Sequence, residues 1–174
     1  GNYNNRFFIR HADVSDLEFR DNSPSDNPIS KFSAYAFQLG AGVSRGNKFG
    51  NFGMMLSYLS LGIYDQKADG FSMDIGYSTL LSNGFALGAS VLNIGYMSKF
   101  YRDRPELPFM IVAGISKQVD LYRLKNNIYF TTEYFTKELP MKFKIGADMQ
   151  WGQLNFLAGY SITKFDTGFS VGGG

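Results

Sequence analysis

Cysteine is absent from this chain of 174 residues, and histidine occurs only once. The lack of cysteine excludes disulfide bonds and thiolate metal sites, and it fits export through an oxidising compartment. The single histidine, His11, lies in a polar segment beside Asp13 and Asp16, where a solvated side chain is a better expectation than a metal or acid–base site. No nucleophile elbow, phosphate loop or dinucleotide fingerprint is present. The sequence therefore predicts a protein that is not an enzyme and that holds no metal or cofactor.

Long apolar runs are also missing. No segment approaches the roughly 18 consecutive apolar residues of a membrane-spanning helix, and none shows helical periodicity. Charged residues make up 18% of the chain and the mean hydropathy is -0.16, values that usually indicate a soluble protein. That argument does not extend to membrane barrels, because only every second residue of their strands is apolar. The sequence thus excludes a helical membrane protein and leaves a barrel open.

Strong charge of one sign is missing too, whereas glycine and aromatic residues are plentiful. The net charge is +2, and lysine and arginine do not cluster, so a nucleic-acid partner is not indicated. The chain contains 20 glycines, and 17% of its residues are aromatic. Aromatic side chains suit pleated surfaces, so this composition favours β structure.

Apolar and aromatic residues alternate with small or polar ones along most of the chain. Successive side chains of a strand point to opposite faces, so each such segment has one apolar face and one face of small residues. About ten strands are predicted in this way, over residues 6–10, 31–45, 51–64, 69–81, 85–95, 107–118, 127–136, 141–150, 154–163 and from 167 onward.

The predicted connections alternate between short and long. Ser82-Asn83-Gly84 has the chemistry of a tight hairpin, and residues 151–153 form a second short turn, whereas residues 119–126 form a longer one. The long polar segments 13–28 and 96–106 are candidate extracellular loops, since outer-membrane barrels join their strands by short periplasmic turns and longer outer loops. We expect residues 1–174 to form a single β-barrel domain that is incomplete at both ends.

The composition of the second face separates two fold hypotheses. A soluble β-sandwich usually places lysine, glutamate and threonine on its solvent face, whereas here that face carries mainly glycine, alanine and serine. Aromatic residues also gather near strand ends, as in the girdles of membrane barrels. We therefore predict an all-β, antiparallel transmembrane β-barrel, with a soluble β-sandwich binding module as the alternative. Residues expected to face lipid are Phe71, Met73, Ile75, Phe109, Ile111, Phe143 and Ile145.

Several segments resemble the PorV/PorQ family of outer-membrane proteins. The resemblance begins at Phe32 and runs to the end of the chain, with segments in matching order at 32–45, 68–76, 85–95, 107–109, 154–160 and 166–173. This family is similar to the FadL-like barrels, which have fourteen strands and a lumen occluded by an N-terminal segment. The N-terminal strands, an Asn-Pro-Ala-Gly-like element and the closing strands of the family have no counterpart here, so we expect a fragment of a larger barrel.

The resemblance also implies a function. PorV/PorQ proteins are accessory barrels of type IX secretion that attach or shuttle exported cargo at the cell surface, in the outer membrane of Gram-negative-type bacteria. The alternative is a FadL-like transporter that carries hydrophobic small molecules through the lumen. Expected partners are outer-membrane lipid and secretion components or surface cargo, with a bound lipid or fatty acid under the transporter hypothesis.

Two groups of charged residues are candidate functional residues. Those predicted to face the lumen are Asp74, Glu133, Lys142, Lys144 and Asp148, which either bind a ligand or pair with each other across strands. The second group lies in the long connection and either contacts a partner or is merely solvated; it comprises Lys99, Arg102, Asp103, Arg104 and Glu106.

Overall fold

The computed structural model describes residues 3–20, 27–121, 124–135 and 140–174 of the chain. These residues form ten β-strands and one 3-10 turn at Ser82–Gly84. The strands are β1 (Tyr3–Phe19), β2 (Ser30–Asn47), β3 (Gly50–Ile63), β4 (Gln66–Leu80), β5 (Phe85–Met97), β6 (Met110–Leu121), β7 (Leu124–Phe135), β8 (Lys142–Trp151), β9 (Leu154–Ile162) and β10 (Thr167–Gly173). No helix in this described part of the chain is both long and apolar enough to cross a membrane.

All ten strands belong to one antiparallel sheet in which the spatial order equals the chain order. The all-β, antiparallel part of the prediction is thus confirmed. Within the described residues β1 pairs only with β2 and β10 only with β9, so the sheet is open and has two edge strands.

This meander places its connections alternately at two ends of the sheet. At one end, which we call the short-turn end, β2, β4, β6 and β8 are followed by residues 48–49, 81–84, 122–123 and 152–153. At the other, the long-loop end, the connections are residues 20–29, 64–65, 98–109, 136–141 and 163–166. The longest connections therefore share one end.

Local side-chain chemistry explains the tight turns. Asn83 and Gly84 both have left-handed backbones, with φ of 67° and 74°, which asparagine and glycine adopt more readily than other residues. Asn47 Oδ1 accepts hydrogen bonds from the backbone N–H groups of Phe49 (2.8 Å) and Gly50 (3.2 Å) and so closes the turn after β2. The hairpin predicted at residues 82–84 lies where the sequence places it.

Three predicted connections differ from the observed ones. The first, residues 13–28, is shorter because β1 continues to Phe19, with its backbone paired to β2 through Asp13↔Tyr35 and Leu17↔Phe32. Polar side chains are tolerated there because both faces of this hairpin are exposed. Residues 21–26 lie outside the described part of the chain.

The other two differences concern β5, β6 and β7. The predicted turn at residues 119–126 is too long, since β6 continues to Leu121 and β7 begins at Leu124. The loop predicted at 96–106 spans residues 98–109 instead, because β5 extends to Met97. Phe109 therefore precedes β6 rather than lying within it.

The most buried residues lie where the 98–109 connection folds back on the sheet. Met97 and Ala68 are 1% and 0% exposed. Asn93 Nδ2 donates a hydrogen bond to the Pro108 carbonyl (2.8 Å), and a Cβ on Gly95 would lie 2.8 Å from Leu107 Cδ1. The base of this connection is thus fixed to the sheet.

Candidate functional site

One face of the sheet is covered by exposed apolar side chains. The strand register aligns them across the strands, as in the row Val43, Met54, Ile75, Val91 and Ile111. They are not covered by a second layer: Phe71 is 69%, Ile145 53% and Val171 72% exposed. We call this surface the apolar face. Six of the seven residues predicted to face lipid lie on it, and Phe109 is the exception.

The apolar face has a central band without charge. On β2 to β10, within the described residues, no Asp, Glu, Lys, Arg or His projects from this face within the band, which includes residues 37–43 of β2, 71–75 of β4 and 143–149 of β8. On the edge strand β1, His11 lies on this face opposite Phe37, with the two ring centres 6.5 Å apart. Tyrosine, phenylalanine and tryptophan border the band at both ends of the strands. These border residues are Tyr35, Tyr58, Tyr96 and Tyr134 toward the long-loop end, and Tyr3, Phe52, Tyr77, Phe85 and Trp151 toward the short-turn end.

A polar cluster that sequence reasoning missed lies at the long-loop border of this band. Tyr58 Oη donates a hydrogen bond to Asp69 Oδ1 (2.6 Å), and Lys67 Nζ lies 3.3 Å from the same oxygen. A signal was available: a two-residue turn at residues 64–65 aligns position 60 with 69, which places Tyr58 diagonally beside Asp69.

The opposite face is a broad trough lined by small residues. We call it the small-residue face, and glycine and serine are frequent on it, for example at Gly42, Gly76, Gly88, Ser90 and Gly114. Residues from seven strands, β1 to β7, surround a concavity of about 1030 Å³. A second concavity of about 400 Å³ continues the surface over β7 to β10. The small side chains leave this volume empty.

All five residues predicted to face the lumen lie on the small-residue face. Lys144 and Glu133 form an ion pair across β7 and β8. Asp148 accepts hydrogen bonds from Tyr129 Oη (3.0 Å) and Asn127 Nδ2 (3.5 Å). Lys142 lies opposite Glu133 in the register. Of these charged residues, Glu133 and Lys144 therefore pair with each other across strands, whereas the partners of Asp148 are uncharged.

Asp74 has a local role in the sheet. The register of β4 and β5 shifts between Met73 and Ile75, where β5 has one extra residue. Asn93 at this β-bulge has a left-handed backbone with φ of 58°, and its N–H donates to Asp74 Oδ1 (2.7 Å). The carboxylate thus satisfies a backbone donor that the sheet ladder leaves unpaired.

The candidate partner-loop residues are brought together at the long-loop end. Backbone hydrogen bonds join Phe100 and Asp103 in both directions (2.7 and 3.2 Å). The Arg104 guanidinium lies 4.1 Å from the centre of the Tyr96 ring, and Arg102 lies 5.5 Å from that of Tyr101. Lys99 and Glu106 are also exposed, so the connection presents mixed charge to solvent.

The single histidine does not form a metal cluster with its neighbours. His11 Nε2 lies 3.5 Å from Asp13 Oδ1, and both side chains are exposed. Within the described ranges no three or more His, Cys, Asp or Glu residues converge on a point that could hold a metal ion.

Comparison with protein-family models, with curated proteins and with solved structures gives no match to this chain.

Proposed function

We propose that this chain is part of an outer-membrane β-barrel whose apolar face contacts lipid and whose small-residue face lines the lumen. The observation that carries the proposal is the exposed apolar band, which is free of charged side chains across β2 to β10. In water such a surface exceeds what soluble monomers usually leave uncovered. Against hydrocarbon the same surface needs no covering layer.

The distance between the two borders supports this placement, measured on β2 from Tyr35 to Arg45, which lie just outside the band. Tyr35 and Arg45 are ten residues apart in β2, which at about 3.3 Å per residue and a tilt of about 40° corresponds to about 25 Å along the membrane normal. The apolar belt of outer-membrane barrels is also about 25 Å tall and is flanked by aromatic girdles. The borders of the band carry such aromatic residues here.

The soluble β-sandwich alternative has less support. A sandwich needs a second sheet packed about 10 Å above the first. The described strands all belong to a single sheet, and the apolar face has no covering layer within these residues.

The barrel proposal requires partners for both edge strands. Unpaired backbone groups of β1 and β10 cannot be left in hydrocarbon, because no water is available to satisfy them. We therefore propose that further strands of a larger, FadL-like barrel pair with these two edges.

Within this barrel we propose an accessory role in protein secretion and surface attachment, like that of PorV/PorQ proteins in type IX secretion. Two features support the role. The segments from residue 32 onward resemble that family, and the longest connections share one end of the sheet. Binding residues tend to lie on loops held by a rigid scaffold. A wall that contacts lipid leaves these loops as the surface for a protein partner.

The test is to replace residues 101–106 by Asn-Gly and to isolate the protein with its partners from detergent extracts. Ser98 pairs with Asp69, and Asn93 binds Pro108, outside the deleted segment, so we expect normal assembly and a loss of co-purifying secretion components or cargo. As a control, Thr163 can be replaced by serine in the turn at residues 163–166. Unchanged capture by the shortened loop would contradict the accessory role.

One observation favours a second function, a FadL-like transporter. The trough of about 1030 Å³ on the small-residue face is large enough for an acyl chain. Mass spectrometry of the purified protein separates the two functions: a stoichiometric bound lipid, whose uptake is lost in Asp148→Ala but retained after loop shortening, would support transport instead.

A further inference from the structure

Two lysines near the long-loop border of the apolar face are neutralised by carboxylates. Near the long-loop end, Lys67 Nζ lies 3.3 Å from Asp69 and Lys31 Nζ lies 3.5 Å from Asp16. Lys31 and Lys67 thus face carboxylates of the protein itself. At the same end Arg104 lies over the Tyr96 ring (4.1 Å), so the pairing with carboxylates applies to the two lysines and not to every cation there.

At the short-turn border the cations lie over aromatic rings instead. The pairs are Arg45 over Tyr3 (5.0 Å to the ring centre), Lys117 over Phe85 (3.8 Å) and, in the turn after β2, Lys48 over Phe49 (4.9 Å). Within the described residues none of these three cations has an ion-pair partner. Asp120 lies near this end but on the opposite, small-residue face, where it accepts a hydrogen bond from Gln118 (3.2 Å). The short-turn border is thus cationic and aromatic.

We propose that this border binds the phosphate groups of a leaflet of anionic glycerophospholipid, with Arg45 and Lys117 as the principal contacts and Lys48 as a third. The inference rests on the proposed membrane placement. Aromatic side chains sit at headgroup level, where a cation held over a ring stays available to a phosphate. Guanidinium groups bind phosphate oxygens in a bidentate way, and an anionic surface attracts lysine and arginine. Lys31 and Lys67 near the opposite border are already paired with carboxylates and offer no such site.

Trp151 provides a probe at the same border. It is the only tryptophan in the chain, it ends β8, and it is 61% exposed. The experiment reconstitutes the protein in vesicles of equal parts phosphatidylcholine and phosphatidylglycerol, with bromine atoms on the acyl chains of one lipid or the other. We expect brominated phosphatidylglycerol to quench Trp151 fluorescence more strongly than brominated phosphatidylcholine.

A pair of matched variants tests the residues. Each cation near an anionic surface strengthens binding by about fivefold, so Arg45→Gln/Lys117→Gln should lower the preference for phosphatidylglycerol by up to about 25-fold. The control, Lys31→Gln/Lys67→Gln, removes the same charge from the long-loop border and should leave the preference unchanged. Equal quenching by the two lipids, or an unchanged preference in the first variant, overturns the inference.

Two further outcomes keep the test decisive. If neither lipid quenches Trp151, the protein is not inserted and the proposed barrel itself fails. If the Arg45→Gln/Lys117→Gln variant does not assemble, the unmodified protein can be tested instead. Its preference for phosphatidylglycerol should fall when the salt concentration rises from about 0.05 to about 1 M, because salt screens the contacts with phosphate. A preference that does not change with salt also overturns the inference.

Discussion

Ile111 and Val112 are neighbours in β6 that lie on opposite faces of the sheet. Ile111 is 41% exposed in the apolar band, whereas Val112 lines the trough opposite Glu133. Under the proposed placement, an arginine in place of Ile111 would enter the apolar band near its long-loop border, because Ile111 pairs with Tyr134. The cost of an arginine in outer-membrane barrels falls from about 2–4 kcal/mol at the midplane to about 0–1 kcal/mol near the interfaces. We expect Ile111→Arg to reduce the fraction that folds into lipid vesicles, measured by protease resistance.

The matched control is Val112→Arg. Its side chain would extend into the empty trough beside the Glu133 carboxylate, so the loss should be much smaller. Equal losses in the two variants would argue that the apolar face does not contact lipid.

Asp74 permits a second prediction at this scale. Its carboxylate accepts the N–H of Asn93 at the bulge in a half-buried hydrogen bond, and the loss of such a bond costs about 1 kcal/mol. Asp74→Ala should therefore lower the free energy of unfolding by that amount in urea titrations. Asp74→Asn keeps an acceptor oxygen and should retain most of the stability. Equal destabilisation in both variants would instead indicate a role for the charge itself.

At the scale of elements, the hairpin between β4 and β5 depends on backbone conformation. Gly84 has φ of 74°, a left-handed conformation that costs other residues roughly 1–2 kcal/mol. Gly88 has an ordinary strand conformation, and a Cβ there would lie 3.8 Å from the nearest atom, the Tyr77 carbonyl oxygen. We expect Gly84→Ala to destabilise the protein by about 1 kcal/mol, measured by urea unfolding, and Gly88→Ala to be neutral or slightly stabilising. The opposite order would show that the turn does not determine the register of this hairpin.

Alternation along the chain predicts faces better than it predicts strand ends. In β2 the pattern from Tyr35 to Val43 determines which side chains share a face, because the period of a strand is fixed at two. It could not predict that β1 continues to Phe19, since that continuation depends on backbone pairing with β2 rather than on the side chains of β1. The bulge at Asn93 was missed for the same reason: an extra residue is visible only when two strands are aligned.

The candidate site was predictable to a similar extent. The charged residues of the small-residue face follow from alternation, whereas their partners depend on the register. The pair formed by Glu133 and Lys144 lies on adjacent strands with a connection at residues 136–141 between them, and the sequence does not specify the register across it. The distance between the long-loop and short-turn borders of the apolar face, in contrast, follows from strand length alone.

The sheet formed by the described residues has two open edges, and these allow a test of the proposed closure. In the intact protein in its membrane, further strands should protect the amides of β1 and β10 from hydrogen exchange as strongly as those of β5. In the chain of residues 1–174 in detergent, every second amide of the edge strands should exchange rapidly, because those groups point away from the sheet. Rapid exchange at both edges in the membrane would contradict closure by neighbouring strands.

The order of the strands also has a consequence for how the sheet is made. Each strand pairs only with the strands that precede and follow it in the chain, so each new hairpin can be added to the free edge of those already formed. Contacts between nearest neighbours carry a small loop-closure cost, which favours sequential growth over a search among distant segments. A chain that emerges from an export channel from one terminus could therefore assemble strand by strand, with its most recent strand always available to receive the next.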